Sequence, residues 1–102
     1  MNLQEKVRAF IAANNMACGA EIRYIDLVSE IGEVGKALLK SGDYGKNAPT
    51  ATENTAEELG DCLFSLLALC AELDIDAETA LETVLEKYAT RIAAKGEAGS
   101  GR

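Results

Sequence analysis

Apolar residues recur at intervals of three and four along most of this 102-residue chain. No stretch alternates for long with the period of two that a half-buried strand needs. The first segment, Leu3 to about Asn14, is apolar at 3, 7, 10 and 11, and Asn14-Asn15 with Gly19 breaks it. The second runs from about Glu21 to Leu39. Leu27, Ile31, Val34 and Leu38 form its core stripe, with Arg23, Asp26, Glu30 and Glu33 as a polar stripe alongside. Ser41-Gly42-Asp43 ends it and opens a loop to residue 54, longer than most connections. The third runs from about Thr55 to Leu73, capped by Thr52 or by Asn54-Thr55. Leu59, Leu63, Leu66 and Cys70 form its stripe, and Leu67, Ala68 and Leu69 widen it, which predicts a central helix. The fourth runs from about Ala77 to Ala94 with Asp76 as its N-cap, and turns Leu81, Val84, Leu85, Tyr88 and Ile92 inward. The pattern predicts an all-α helical bundle of four to five helices, a single domain over residues 1–95. A Gly-rich tail at 96–102 is expected to be flexible.

Composition narrows the chemistry. Seventeen acidic and ten basic residues leave a net charge of −7, the wrong sign for a protein that binds a nucleic acid polymer by neutralising phosphates. A nucleotide ligand stays open, because a bound cation inverts the local field. With no histidine, the commonest general base and zinc ligand are both missing. Three cysteines at 18, 62 and 70 show no C-x-x-C spacing, and Cys62 and Cys70 sit inside an apolar run as small core residues. That usage, a polar start MNLQEKV without a signal peptide, and no apolar run near 20 residues predict a cytoplasmic protein with no membrane span.

Two acidic pairs remain. Glu30 and Glu33 stand three apart, as do Glu58 and Asp61. On a helix such pairs share a face, with Cβ atoms roughly 5–6 Å apart. If the second and third helices pack side by side, four carboxylates converge, which is how helix bundles build metal sites. All-oxygen ligation suits Mg²⁺ or Mn²⁺ before Zn²⁺. The plainer reading is a solvated acidic face, with Glu33 paired to Lys36. Asp61 resists it, because it stands at the mouth of the most apolar segment, where a desolvated carboxylate needs a partner.

The stretches DLVSEIGEVGKALL (26–39) and EELGDCLFSLLALC (57–70) resemble the two acidic helices of the MazG-like all-α pyrophosphatases, whose pattern is E-E-x-x-E, a spacer, then E-x-x-D. Glu30, Glu33, Glu58 and Asp61 match it, while Ser29 stands where the family has the first acid. SGDYGK (41–46) is similar to the family's T-x-Y-G loop, and KYATRIAAKGEAGSG (87–101) to a K-Y-x-x-R ending with a Gly-rich tail. The resemblance spans residues 21 to 101.

It implies a MazG-like fold and Mg²⁺-dependent cleavage of a nucleoside triphosphate between its α and β phosphates, giving monophosphate and pyrophosphate. The four acids would hold one or two metal ions. Lys36, Lys87 and Arg91 are candidates for the phosphate charge, and Tyr44, then Phe10, for stacking a base. Ser100-Gly101 is a candidate to fold over the phosphates. Relatives with other substrates, such as phosphoribosyl-ATP pyrophosphatase or an all-α dUTPase or dCTPase, share the acidic site. A non-catalytic helical interaction module is the reading from a different class. The apolar faces of the second, third and fourth segments exceed what one short chain covers, so a homodimer or homotetramer is expected.

Overall fold

The structure, a computed structural model, describes residues 1–99. Four helices follow one another, and the described residues contain no strand: α1 (Leu3–Ala13), α2 (Ala20–Ser41), α3 (Glu53–Glu72) and α4 (Ala77–Lys95). The ends are set by local chemistry. Asn2 and Glu5 form a capping box on α1, each side chain taking the other's backbone N–H (2.8 and 2.9 Å). Thr52 caps α3, and Asp76 caps α4 through the amides of Glu78 and Thr79. Gly96, in the left-handed region at φ 81°, closes α4.

The centre of the fold is the antiparallel pair α2–α3, with α1 laid against α3. The face that α2 buries or half-buries reads Arg23, Leu27, Glu30, Val34, Ala37 and Ser41, in steps of four and three. This corrects the expected stripe, since Ile31 is 56% exposed and Leu38 only partly covered. The matching face of α3 is Thr55, Glu58, Cys62, Ser65 and Leu69. Small side chains such as Ala37, Thr55 and Ser65 suit close approach of the two backbones, and the larger Leu59, Leu63 and Leu66 are left outside. Helix α4 also departs from expectation. It has no buried residue, and only Val84 of its five predicted core positions is even half-covered within the chain.

The α2–α3 loop is held by Ser41, whose hydroxyl donates to the Leu38 carbonyl and accepts from the Thr50 amide (3.0 Å). Gly42 is required there, because a Cβ would lie 2.6 Å from the Asn47 carbonyl oxygen. At the opposite end Gln4, only 8% exposed, ties α1 to the α3–α4 turn. Its side-chain amide donates to the Ile75 carbonyl (2.8 Å) and accepts from the Ala77 amide (2.7 Å). Gln4→Ala should therefore strand two partly buried backbone groups and cost about 1 kcal/mol. In urea the unfolding midpoint should fall with an unchanged slope. An unmoved midpoint would show that this tie contributes nothing.

Candidate metal and nucleotide site

The α2–α3 register fixes the site. Glu30 lies in the middle of the buried face of α2, and Glu58 and Asp61 lie one turn apart on α3. One oxygen from each of the three carboxylates lies within 4.8 Å of the other two. Glu30 and Glu58 are half-buried and Asp61 is exposed, so the group has a floor and an open side. Glu33 is outside this trio and exposed, although its charge reaches Glu30. Among the described residues no lysine or arginine forms an ion pair with any of the three.

The electrostatics follow from the crowding. Burial pushes the Glu30 carboxyl above its ordinary value, and Asp61, Glu58, Glu33 and Asp26 push it further the same way. Burial likewise raises the Cys62 thiol, helped by Glu30, Asp61 and Glu58. Cys62 therefore stays a neutral thiol at pH 7 and is a poor nucleophile. Three hard oxygen donors with one open side suit a divalent cation of the Mg²⁺ or Mn²⁺ kind, which keeps positions for water or phosphate oxygens. No other donor set of three acids or cysteines this close occurs among the described residues.

Among the described residues no hydrogen bond or ion pair joins the remaining candidates to the trio. Lys36 is exposed on α2, and it forms no ion pair with Glu33. Tyr44 projects from the α2–α3 loop, 68% exposed, on a backbone with φ 54°. Lys87 holds its ammonium over the Tyr88 ring, 5.4 Å from the centroid. Arg91 donates to the Ala98 carbonyl (3.3 Å), turning residues 96–99 back along α4. Ser100 and Gly101 lie outside the described residues.

Two features escaped the sequence reading. Arg23, expected on a solvated stripe, is 5% exposed. It donates to the Met16 carbonyl, and its guanidinium lies 5.8 Å from the centroid of the Phe64 ring. Phe64 in turn meets Phe10 edge-on at 6.3 Å. The signal was there: Arg23 lies seven residues before Glu30, two turns along one face. Phe64 lies one turn beyond Asp61, so this aromatic pair adjoins the acidic end of α3.

Comparison with known proteins agrees with the geometry. The MazG nucleotide pyrophosphohydrolase domain matches residues 22–94, from the start of α2 almost to the end of α4. The chain is also 38% identical over 68 residues to "Uncharacterized protein YpjD" of Bacillus subtilis (strain 168), a match covering 64% of this chain and 60% of that protein. The chain thus spans about 60% of that relative's length. No solved structure matches it. No described helix is long and apolar enough to cross a membrane. Four helices without a strand, the paired acidic faces of α2 and α3, and a domain match over most of the length lead to one conclusion: the chain belongs to the MazG nucleotide pyrophosphohydrolase domain family.

Proposed function

We propose that this chain is a Mg²⁺-dependent nucleoside triphosphate pyrophosphohydrolase that converts a (d)NTP to the (d)NMP and pyrophosphate. The observation that carries the reading is the convergence of Glu30, Glu58 and Asp61 in a family defined by such chemistry. Water adds across one phosphoanhydride bond: the α-phosphorus gains a hydroxyl, and pyrophosphate leaves with the bridging oxygen. Mg²⁺ held by the trio, with Mn²⁺ as a substitute, supplies charge neutralisation on the phosphates and an activated water.

The chain's own residues position the rest. Glu30 and Glu58 form the floor of the site, Asp61 stands at its open side, and Glu33 stands by to accept a hydrogen bond from water. Lys36, Lys87 and Arg91 supply positive charge for the phosphate tail, and Tyr44 or Phe10 supplies a ring for the base. Arg offers a planar fork and Lys a point charge. We take the protein to work as a homo-oligomer in the reducing cytoplasm, clearing non-canonical nucleotides.

Pyrophosphate release from a panel of ordinary and damaged dNTPs, with NTPs and phosphoribosyl-ATP included, tests this reading. Release should require Mg²⁺ or Mn²⁺ and favour one base or sugar. Phosphoribosyl-ATP as the sole substrate would move the assignment to that branch. No release from any compound with either metal would overturn the enzyme reading and leave a helical interaction module, consistent with Ser29 in place of the family's first acid.

A further inference from the structure

Arg23 is buried, at 5% exposure, and its charge is permanent. Among the described residues no carboxylate pairs with it, and its Nε is buried without a hydrogen-bond partner. A desolvated charge with so little compensation is costly, and an apolar side chain of similar size would serve the α2–α3 contact as well. Its two contacts say what it holds instead. One guanidinium nitrogen donates to the Met16 carbonyl between α1 and α2, and the group lies over the Phe64 ring, 5.8 Å from the centroid. Phe64 then meets Phe10 at 90°, with the centroids 6.3 Å apart. Arg23 thus joins α2, α3, the linker before α2 and, through Phe64, α1 at one aromatic corner.

The corner adjoins the acidic trio. Phe64 lies three residues past Asp61 on α3, about 4.5 Å along the axis. Arg23 lies on the same face of α2 as Glu30 and packs at that end of α3. Tyr44 lies the other way. Ser41, the last residue of α2, is eleven residues past Glu30, about 16 Å along the axis, and Tyr44 is in the loop beyond it. A nucleotide with its phosphates on a cation at the trio carries its base one sugar away, nearer the corner than the loop. Phe10 is 54% exposed there, while Phe64 is half-buried with Arg23 over its ring. The free ring surface is therefore that of Phe10.

Given the nucleotide reading above, on which this rests, we infer that Phe10 and Phe64 form the wall where the substrate's base stacks. Arg23 is the positioning residue that fixes this wall, and Phe10 takes the base in preference to Tyr44. Phe10 touches the base. Phe64 backs Phe10 edge-on, an arrangement that aromatic rings favour. Arg23 acts through Phe64: cation–π attraction holds the ring, and the bond to the Met16 carbonyl ties the linker to it. A ring wall recognises the π face that every base has. The corner therefore separates nucleoside triphosphates from bare polyphosphate without by itself separating one base from another.

The chain has no tryptophan, so Phe10→Trp and Tyr44→Trp each place a single fluorophore at one candidate position. The ligands are Mg²⁺ with α,β-methylene dNTP analogues, which resist cleavage at that bond, and Mg²⁺ with tripolyphosphate. The analogues should quench Phe10→Trp on binding, and tripolyphosphate should bind without quenching it. Tyr44→Trp should respond to neither. Calorimetry then tests Arg23. Arg23→Met should weaken analogue binding about tenfold while tripolyphosphate binding holds. Arg23→Lys, which keeps a donor and a charge over Phe64, should recover most of that loss. Phe64→Leu should reproduce the Arg23→Met pattern with Arg23 intact. Equal losses for analogue and tripolyphosphate in these variants would make Arg23 a structural residue and overturn its role. Quenching at Tyr44→Trp alone would move the base to the loop and overturn the wall. Analogues that bind wild type but quench neither tryptophan would also overturn the wall, with the nucleotide reading intact. No binding of any analogue to the wild type would overturn both.

Discussion

Asp61→Asn should lower kcat for nucleotide hydrolysis by on the order of 10³-fold, because it removes a charge from the point where phosphate and cation charge must balance. The fold should survive the change. Asp61 is exposed on the open side of the trio, takes part in no capping bond, and has almost the same shape as Asn. The loss should therefore appear in pyrophosphate release and not in the circular dichroism melt. Glu33→Gln gives the internal comparison. Glu33 matches the family pattern but lies outside the trio, so its loss should be several-fold smaller. Wild-type activity in Asp61→Asn would remove the trio as the catalytic centre. A larger loss at Glu33 than at Asp61 would move that centre along α2.

The helices were legible in the sequence because periodicity and capping chemistry are local. Asp76 and Thr52 cap where their side chains and positions suggest, and the two acidic pairs fall on helices that do pack together. What was not legible was which face each helix turns inward. On α2 the expected stripe is split: Leu27 and Val34 lie on the half-buried face, while Ile31 and Leu38 are turned outward. On α3 the stripe Leu59, Leu63 and Leu66 is likewise left outside. Periodicity reports that a face must be buried, not what buries it. The α2–α3 contact instead uses small side chains and carries Glu30 in its middle. That is why Glu30 is half-buried, and why Glu33, one step round the helix, is not. Arg23 was misread for a related reason: a long side chain can bury its charge over Phe64 and under the Met16 carbonyl, a contact across helices that a one-dimensional pattern does not show.

Holding three carboxylates together without a cation is unfavourable, so the site should show itself in stability before any substrate is added. The Glu30 carboxyl is held above its ordinary value by burial and by Asp61, Glu58, Glu33 and Asp26. The folded state therefore binds this proton more tightly than the unfolded chain does. The resulting stabilisation is fully present below the unfolded value of 4.5 and is lost as pH rises through the raised folded value. For this group, metal-free protein should be more stable in mild acid than at neutrality. Glu30→Gln should raise the neutral-pH Tm of metal-free protein and flatten this part of the profile. Cation binding should favour the wild type over the variant. At about a hundred times its Kd, Mg²⁺ with a non-hydrolysable nucleotide should stabilise wild type by about 2.7 kcal/mol. In a domain of this size that is a Tm increase of roughly 10–20 °C. Glu30→Gln, lacking one of three ligands, should respond several-fold less at the same protein concentration. Scanning calorimetry with and without Mg²⁺ separates the cases. A wild-type Tm indifferent to Mg²⁺ and nucleotide, or equal responses from both proteins, would mean that the trio holds no metal. A lower metal-free Tm in Glu30→Gln would mean that Glu30 serves the α2–α3 contact more than the site. The expected inversion, a variant more stable alone and less stable when loaded, is the signature of a carboxylate kept in an unfavourable place for its ligand.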